Sequence, residues 1–138
     1  MQINPLTDIV AVVVWYNPTV EQAQNILSYM HDVYRVIIID NSITSNAHLL
    51  VGADQELYEY IPLKRNLGIA TALNRGCEEA IRLKAKWILT MDQDSRWERE
   101  QLLSYFDQIN SFSALHEVGV FSPRQTYNGQ VVKYSHAY

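Results

Sequence analysis

Asp92-Gln93-Asp94 places two carboxylates one residue apart, directly after the apolar run Trp87-Ile88-Leu89-Thr90-Met91. That run reads as a buried strand of a parallel sheet. Carboxylates at its end stand at the carboxyl edge of the sheet, where open α/β folds bind ligands. Two hard oxygen donors held together suit Mg²⁺ or Mn²⁺, ions that usually also hold substrate phosphates. The same residues fit a plain turn, because Asp is common there. Taken alone, the pair is evenly balanced between the two readings.

Three more polar clusters follow predicted strands: Tyr16-Asn17-Pro18, Asp40-Asn41-Ser42 and Lys64-Arg65-Asn66-Leu67-Gly68. In a parallel sheet the strand ends point the same way, so all four clusters gather along one edge. Asp40 would accept from ribose hydroxyls or a base N–H; taken alone it fits a helix cap better. Gly68 permits close backbone approach to a phosphate or sugar, or simply serves its turn. Asn74 is polar near the start of a mostly apolar helix. It faces the same crevice or is a solvated amide. Lys64 and Arg65 read better as solvated loop residues than as phosphate ligands.

The elements that must position these residues are legible as periodicities. Apolar, β-branched runs predict strands over 8–16, 34–40 and 87–92, with a shorter one over 57–63. Val20, Ala23, Ile26, Leu27 and Met30 recur at helical spacing after a Thr19 cap. A short helix fits 47–51. Ile69, Ala72, Leu73, Cys77, Ala80 and Ile81 form one stripe of a helix over 69–84. Gly76 inside it costs about 1 kcal/mol against Ala, which suggests close packing there. A helix over 98–112 carries Leu102, Leu103, Phe106 and Ile109 inward. Short strands are expected over 118–121 and, after an Asn128-Gly129 turn, over 131–134. Repeated strand–helix alternation is the signature of a mainly parallel sheet between helix layers.

With 138 residues, 48% of them hydrophobic, the chain suits one globular domain. A net charge of −4 argues against a nucleic-acid binder with a broad basic face, though not against a nucleotide ligand. One cysteine, Cys77, allows no internal disulfide and reads as a small core residue. No apolar run is long enough to cross a membrane, and the first residues lack the pattern of a signal peptide. These points favour the cytoplasm, with a peripheral position at the inner membrane face for a longer protein. There is no G-x-G-x-x-G after the first strand, no P-loop, no C-x-x-C, no H-E-x-x-H and no G-x-S-x-G. His31, His48, His116 and His136 lack ligand spacing.

In order, VVVWYNP, IIIDNS, NLGIATALNRG and WILTMDQDS resemble the nucleotide-binding half of family 2 glycosyltransferases. The resemblance runs from about Asp8 to Pro123. The third motif matches the family's N-x-G-x-(x)-x-A-x-N-x-G pattern at Asn66, Gly68, Ala72, Asn74 and Gly76; the fourth matches its D-x-D. The form DQDS is similar to that of bacterial rhamnosyltransferases that use dTDP-L-rhamnose. The resemblance implies a GT-A fold, a Rossmann-like three-layer α/β/α arrangement, here truncated. It implies a donor that is a dTDP- or UDP-sugar and an acceptor that is a glycan or lipid-linked glycan. Tyr16, Asn17 and Pro18 would border the nucleobase, and Asp40 would accept from base or ribose. Asn66 and Gly68 would line the nucleotide pocket, with Asn74 close by. Asp92 would contact the ribose or the metal, and Asp94 would hold Mg²⁺ or Mn²⁺ against the pyrophosphate. The family usually carries a Gly near the Asp-Asn pair, where this chain reads Asp40-Asn41-Ser42-Ile43.

The resemblance places the catalytic base of inverting members after the D-x-D region. Asp107 and Glu117 suit surface roles better, so the catalytic residue is unassigned. The chain, 1–138, is then expected to be the N-terminal donor part of a longer glycosyltransferase. Two other classes compete. A flavodoxin-like receiver module should place a lysine after a later strand, where Phe121-Ser122-Pro123-Arg124 offers arginine. A nucleotidyltransferase should show a Gly-rich basic loop after its first strand, and Trp15-Tyr16-Asn17-Pro18 is neither.

Overall fold

A computed structural model describes residues 2–124 and 126–131. Four strands form one sheet: β1 (Ile9–Trp15), β2 (Arg35–Asp40), β3 (Tyr58–Pro62) and β4 (Trp87–Asp92). The order is β3-β2-β1-β4, and every pairing is parallel. β1 lies between β2 and β4, and all seven of its residues are buried. That explains its unbroken apolar sequence, since both of its faces are covered.

The two faces separate by alternation along the strands. Ala11, Val13 and Trp15 of β1, with Val36 and Ile38 of β2, pack under α2 (Val20–Gln24) and α4 (Arg99–Ser111). Val10, Val12 and Val14, with Ile37 and Ile39, pack under α3 (Ile69–Arg82). A single-turn helix, α1 (Pro5–Asp8), leads into β1. Its Asp8 is buried and pairs with Lys86 at 3.0 Å, which ties the entry of β1 to that of β4.

α3 sits close on the sheet because Gly76 faces it. A Cβ there would collide with Val12 Cγ1 and stand 3.3 Å from Ile39 Cγ1. The glycine thus serves the close packing that its sequence context suggests.

Several expectations need correction. The helix after Thr19 stops at Gln24 and continues as a 3₁₀ turn over Asn25–Ser28. Val20 and Leu27, Ile69 and Ile81, and Leu103 are exposed rather than inward. Each flanks a stripe whose centre is occupied by Ala23 and Ile26, by Ala72, Gly76 and Ala80, or by Leu102 and Phe106. A helix packed on one face of a sheet buries only its central row. The segment over 118–121 forms no strand; Phe121 instead packs on Trp87, ring centroids 5.6 Å apart, beyond a 3₁₀ turn at Leu115–Glu117. Gly119 inside so short a run weakens any ladder. The Asn128-Gly129 turn does join an antiparallel pair, Thr126–Tyr127 with Gln130–Val131. Residues 132–134 of the expected strand, and His136, lie outside the described residues.

Candidate donor site at the carboxyl edge of the sheet

The strand order fixes where a ligand can sit. The chain proceeds from β1 outward to β2 and β3, then crosses back to place β4 on the other side of β1. The order therefore reverses between β1 and β4, and open parallel sheets bind ligands beyond the carboxyl ends at such a point. The residues following these two strands are Tyr16-Asn17-Pro18 and Gln93-Asp94. β1 and β4 pair up to Val14 opposite Asp92, so the clusters leave the sheet side by side.

Beyond that last pair, a side chain continues what the backbone ladder began. Gln93 Oε1 accepts from the Tyr16 amide at 2.8 Å, and its Nε2 donates to the Tyr16 carbonyl at 3.2 Å. Nε2 also approaches Gln22 Oε1 at 3.3 Å. The Gln93 carbonyl accepts from Asn25 Nδ2 at 2.9 Å, and Ser28 Oγ accepts from the Trp97 amide at 3.0 Å. The loop after β4 is thus tied both to the loop after β1 and to the segment over 22–28. Asn17 adopts a left-handed φ of 43°, tolerable for Asn, and its amide donates to Ser42 Oγ at 2.8 Å.

The loops after β2 and β3 are joined in the same manner. Asn41 Oδ1 accepts from the Leu67 amide at 2.8 Å, and Asn41 Nδ2 donates to Asn66 Oδ1 at 3.0 Å. Asn66 Oδ1 also accepts from the Gly68 amide at 2.9 Å. Gly68 precedes α3 with φ 82° and ψ 157°, a region open essentially to Gly alone. Open space lies where its Cβ would be. Gly68→Ala is accordingly expected to destabilise by about 1–2 kcal/mol through backbone strain, with no steric clash. Urea unfolding of the two chains checks this.

Asp40 is fully buried. Its Oδ1 accepts from the Ser42 amide at 3.0 Å, and its Oδ2 from the Asn46 amide, Asn46 Nδ2 and the Tyr60 hydroxyl. Burial pushes this carboxyl up, but hydrogen bonds from Ser42, Tyr60 and Asn46 outweigh it and hold it below the usual range. Burial, and then its bond to Asp40, push the Tyr60 hydroxyl up.

The structure brings all four clusters to one edge. Tyr16, Asn17, Asn66, Gly68, Asp92 and Asp94 are exposed there, and Pro18 is half-buried. Asn74 is exposed on α3 and bonds to none of the clusters among the described residues. Lys64 and Arg65 are exposed. Among the described residues no group of three or more His, Cys, Asp or Glu could by itself hold a metal. Two exposed carboxylates are nonetheless the donor set that Mg²⁺ accepts when water and phosphate oxygens complete its shell. Gln93, Asn41 and Ser42 tie these loops together; they lie within the polar clusters that follow β2 and β4, but the sequence assigns them no role of their own.

A parallel sheet with a polar, hydrogen-bonded rim at its switch point defines a Rossmann-like ligand-binding α/β domain. The chain belongs to glycosyl transferase family 2, which it matches over residues 12–138. It is similar to dTDP-rhamnosyl transferase RfbF of Shigella flexneri, at 33% identity over 111 residues. The match covers 76% of this chain and 36% of that relative, so the chain spans about a third of the relative's length. The four-stranded parallel sheet and its flanking helices agree with a truncated GT-A fold.

Proposed function

We propose that this chain is the donor-nucleotide part of a metal-assisted glycosyltransferase. The observation that carries the reading is the meeting of the Tyr16–Pro18 and Asp92–Asp94 loops at the switch point of a parallel sheet. Tyr16, Asn17 and Pro18 would border the nucleobase. Asp40 would act on base or ribose through the loop it shapes, since its oxygens already hold Ser42, Asn46 and Tyr60. Asn66, Gly68 and Asn74 would line the nucleotide side. Asp92 and Asp94 would hold Mg²⁺ or Mn²⁺, which when bound offsets the negative charge growing on the departing diphosphate. The likeness to RfbF and the form Asp92-Gln93-Asp94-Ser95 support dTDP-rhamnose as the donor over a UDP-sugar.

The acceptor, a glycan or lipid-linked glycan, and the base that deprotonates its hydroxyl are assigned to the rest of a longer protein. Asp107 and Glu117 are both exposed, on α4 and on the following 3₁₀ turn, and stay surface residues in this reading. Among the described residues, no helix is long and apolar enough to cross a membrane. A cytoplasmic position, peripheral at the inner membrane face, is proposed with the function.

Calorimetric titration with dTDP and with UDP, with and without Mn²⁺, tests the reading. Mn²⁺ is expected to tighten dTDP binding at least about tenfold, and Asp94→Ala to remove that gain. Binding indifferent to both the metal and Asp94 overturns it.

A further inference from the structure

Gln93 stands between the two aspartates, yet its side chain serves the opposite loop. Its amide offers an acceptor oxygen and a donor nitrogen, and the Tyr16 backbone offers the complementary pair, used at 2.8 and 3.2 Å. No other side-chain type of this length presents both. A residue needed only to turn the chain after β4 would not require this amide. The turn itself is closed by the backbone, with the Ser95 amide donating to the Asp92 carbonyl at 3.1 Å. The other ties of this loop, through Gln22, Asn25 and Ser28, run to the segment over 22–28 and not to Tyr16.

We infer that Gln93 is a positioning residue, setting the separation between the nucleobase side of the donor pocket at Tyr16–Pro18 and its metal-holding side at Asp92 and Asp94. The inference rests on the donor-site reading. A nucleoside diphosphate must reach both sides at once, so its affinity depends on their spacing. Pyrophosphate with Mg²⁺ engages only the metal side and is indifferent to it. Gln93 is thus a determinant of nucleotide recognition without touching the nucleotide.

The test compares dTDP and inorganic pyrophosphate, each with Mg²⁺, on the 138-residue chain. Gln93→Leu removes both hydrogen bonds without adding charge beside Asp92 and Asp94. Gln93→Met keeps the length without either hydrogen bond and serves as the second variant should the branched side chain impair folding. For whichever variant melts cooperatively, dTDP affinity is expected to fall about tenfold and pyrophosphate affinity less than about twofold. Equal losses for both ligands would indicate damage to the fold or the metal side and overturn the inference, as would unchanged dTDP affinity. The unsubstituted chain and Asp94→Ala, measured alongside, decide the donor-site reading separately: metal-independent binding there refutes that reading, whatever Gln93 does.

Discussion

Asp40→Ala is expected to lower the stability of the fold by about 3 kcal/mol, measured by urea or thermal unfolding. Each buried donor left without its acceptor costs about 1–3 kcal/mol. The change strands the Ser42 amide and takes one acceptor from the Asn46 amide, Asn46 Nδ2 and the Tyr60 hydroxyl. The Asn46 amide keeps Tyr60 Oη at 2.9 Å, and Nδ2 keeps Ser42 Oγ and the Thr44 carbonyl. Tyr60 retains Ser45 Oγ at 3.0 Å, which lowers the total below a simple sum. Such a loss is a large share of the 5–15 kcal/mol typical of a domain. The damage does not stay local. Ser42 Oγ holds the Asn17 amide, and Asn41 holds Leu67 and Asn66, so the rim loosens on both sides of β2.

The same carboxylate gives a pH signature. Its folded pKa lies below the unfolded one, so its contribution is complete above the unfolded value, about 3.9. It is lost as pH falls through the lower folded value. Asp8 is also held low, chiefly by the Asn4 amide and then by Lys86, and titrates in the same direction. Stability should therefore decline below about pH 4, and Asp40→Asn should flatten part of that decline while leaving the part due to Asp8. An acid titration of the unfolding midpoint separates the two.

What the sequence makes legible follows from burial. β1 and β2 stand out because long apolar, β-branched runs are otherwise rare, and both are buried along nearly all of their length. β4 reads as buried too, but it is the edge strand, half-buried with Thr90 and Asp92 exposed. The parallel arrangement follows from the alternation with helices, and with it the common edge of the four clusters. Strand order does not follow, because nothing in β4 itself says that it returns beside β1 rather than extending beyond β3. That order is what puts Asp92 next to Tyr16. Asp40 as a turn residue is legible, since acceptance from the amide two residues on is the usual local habit of Asp, but it caps no helix: the next helical turn starts from Asn46. The bond from Tyr60, twenty residues away, is not. Gln93 is the clearest case of what sequence conceals: its role depends on a partner 77 positions distant, and amides after strands are too common to signal it. The run over 118–121 misleads because β-propensity reports fit to a half-buried surface, which Phe121 finds against Trp87 without a ladder.

Gly76→Val is the second large effect. Replacing Gly in a helix interior usually stabilises, by about 1 kcal/mol for Ala and less for β-branched Val. Here packing opposes it. The new Cβ would meet Val12 Cγ1, and Val12 belongs to the central strand, hydrogen-bonded to neighbours on both sides and wholly buried. Neither the strand nor Ile39, also fully buried, has room to withdraw. The helix must therefore rise from the sheet, which uncovers Ala72 and Ala80 on the same row. Overpacking of this kind costs about 1–3 kcal/mol for modest insertions and more where the surroundings are rigid. Packing wins, and a net loss of about 3 kcal/mol is expected; Gly76→Ala should lose less, because its helix propensity offsets part of the clash. Lifting α3 also moves Gly68 at its start, so nucleotide affinity should fall with stability in Gly76→Val. In Gly68→Ala the helix seat is untouched, and any loss of affinity should exceed what its stability alone accounts for. Parallel unfolding and calorimetry on the two variants distinguish a displaced helix from an altered loop.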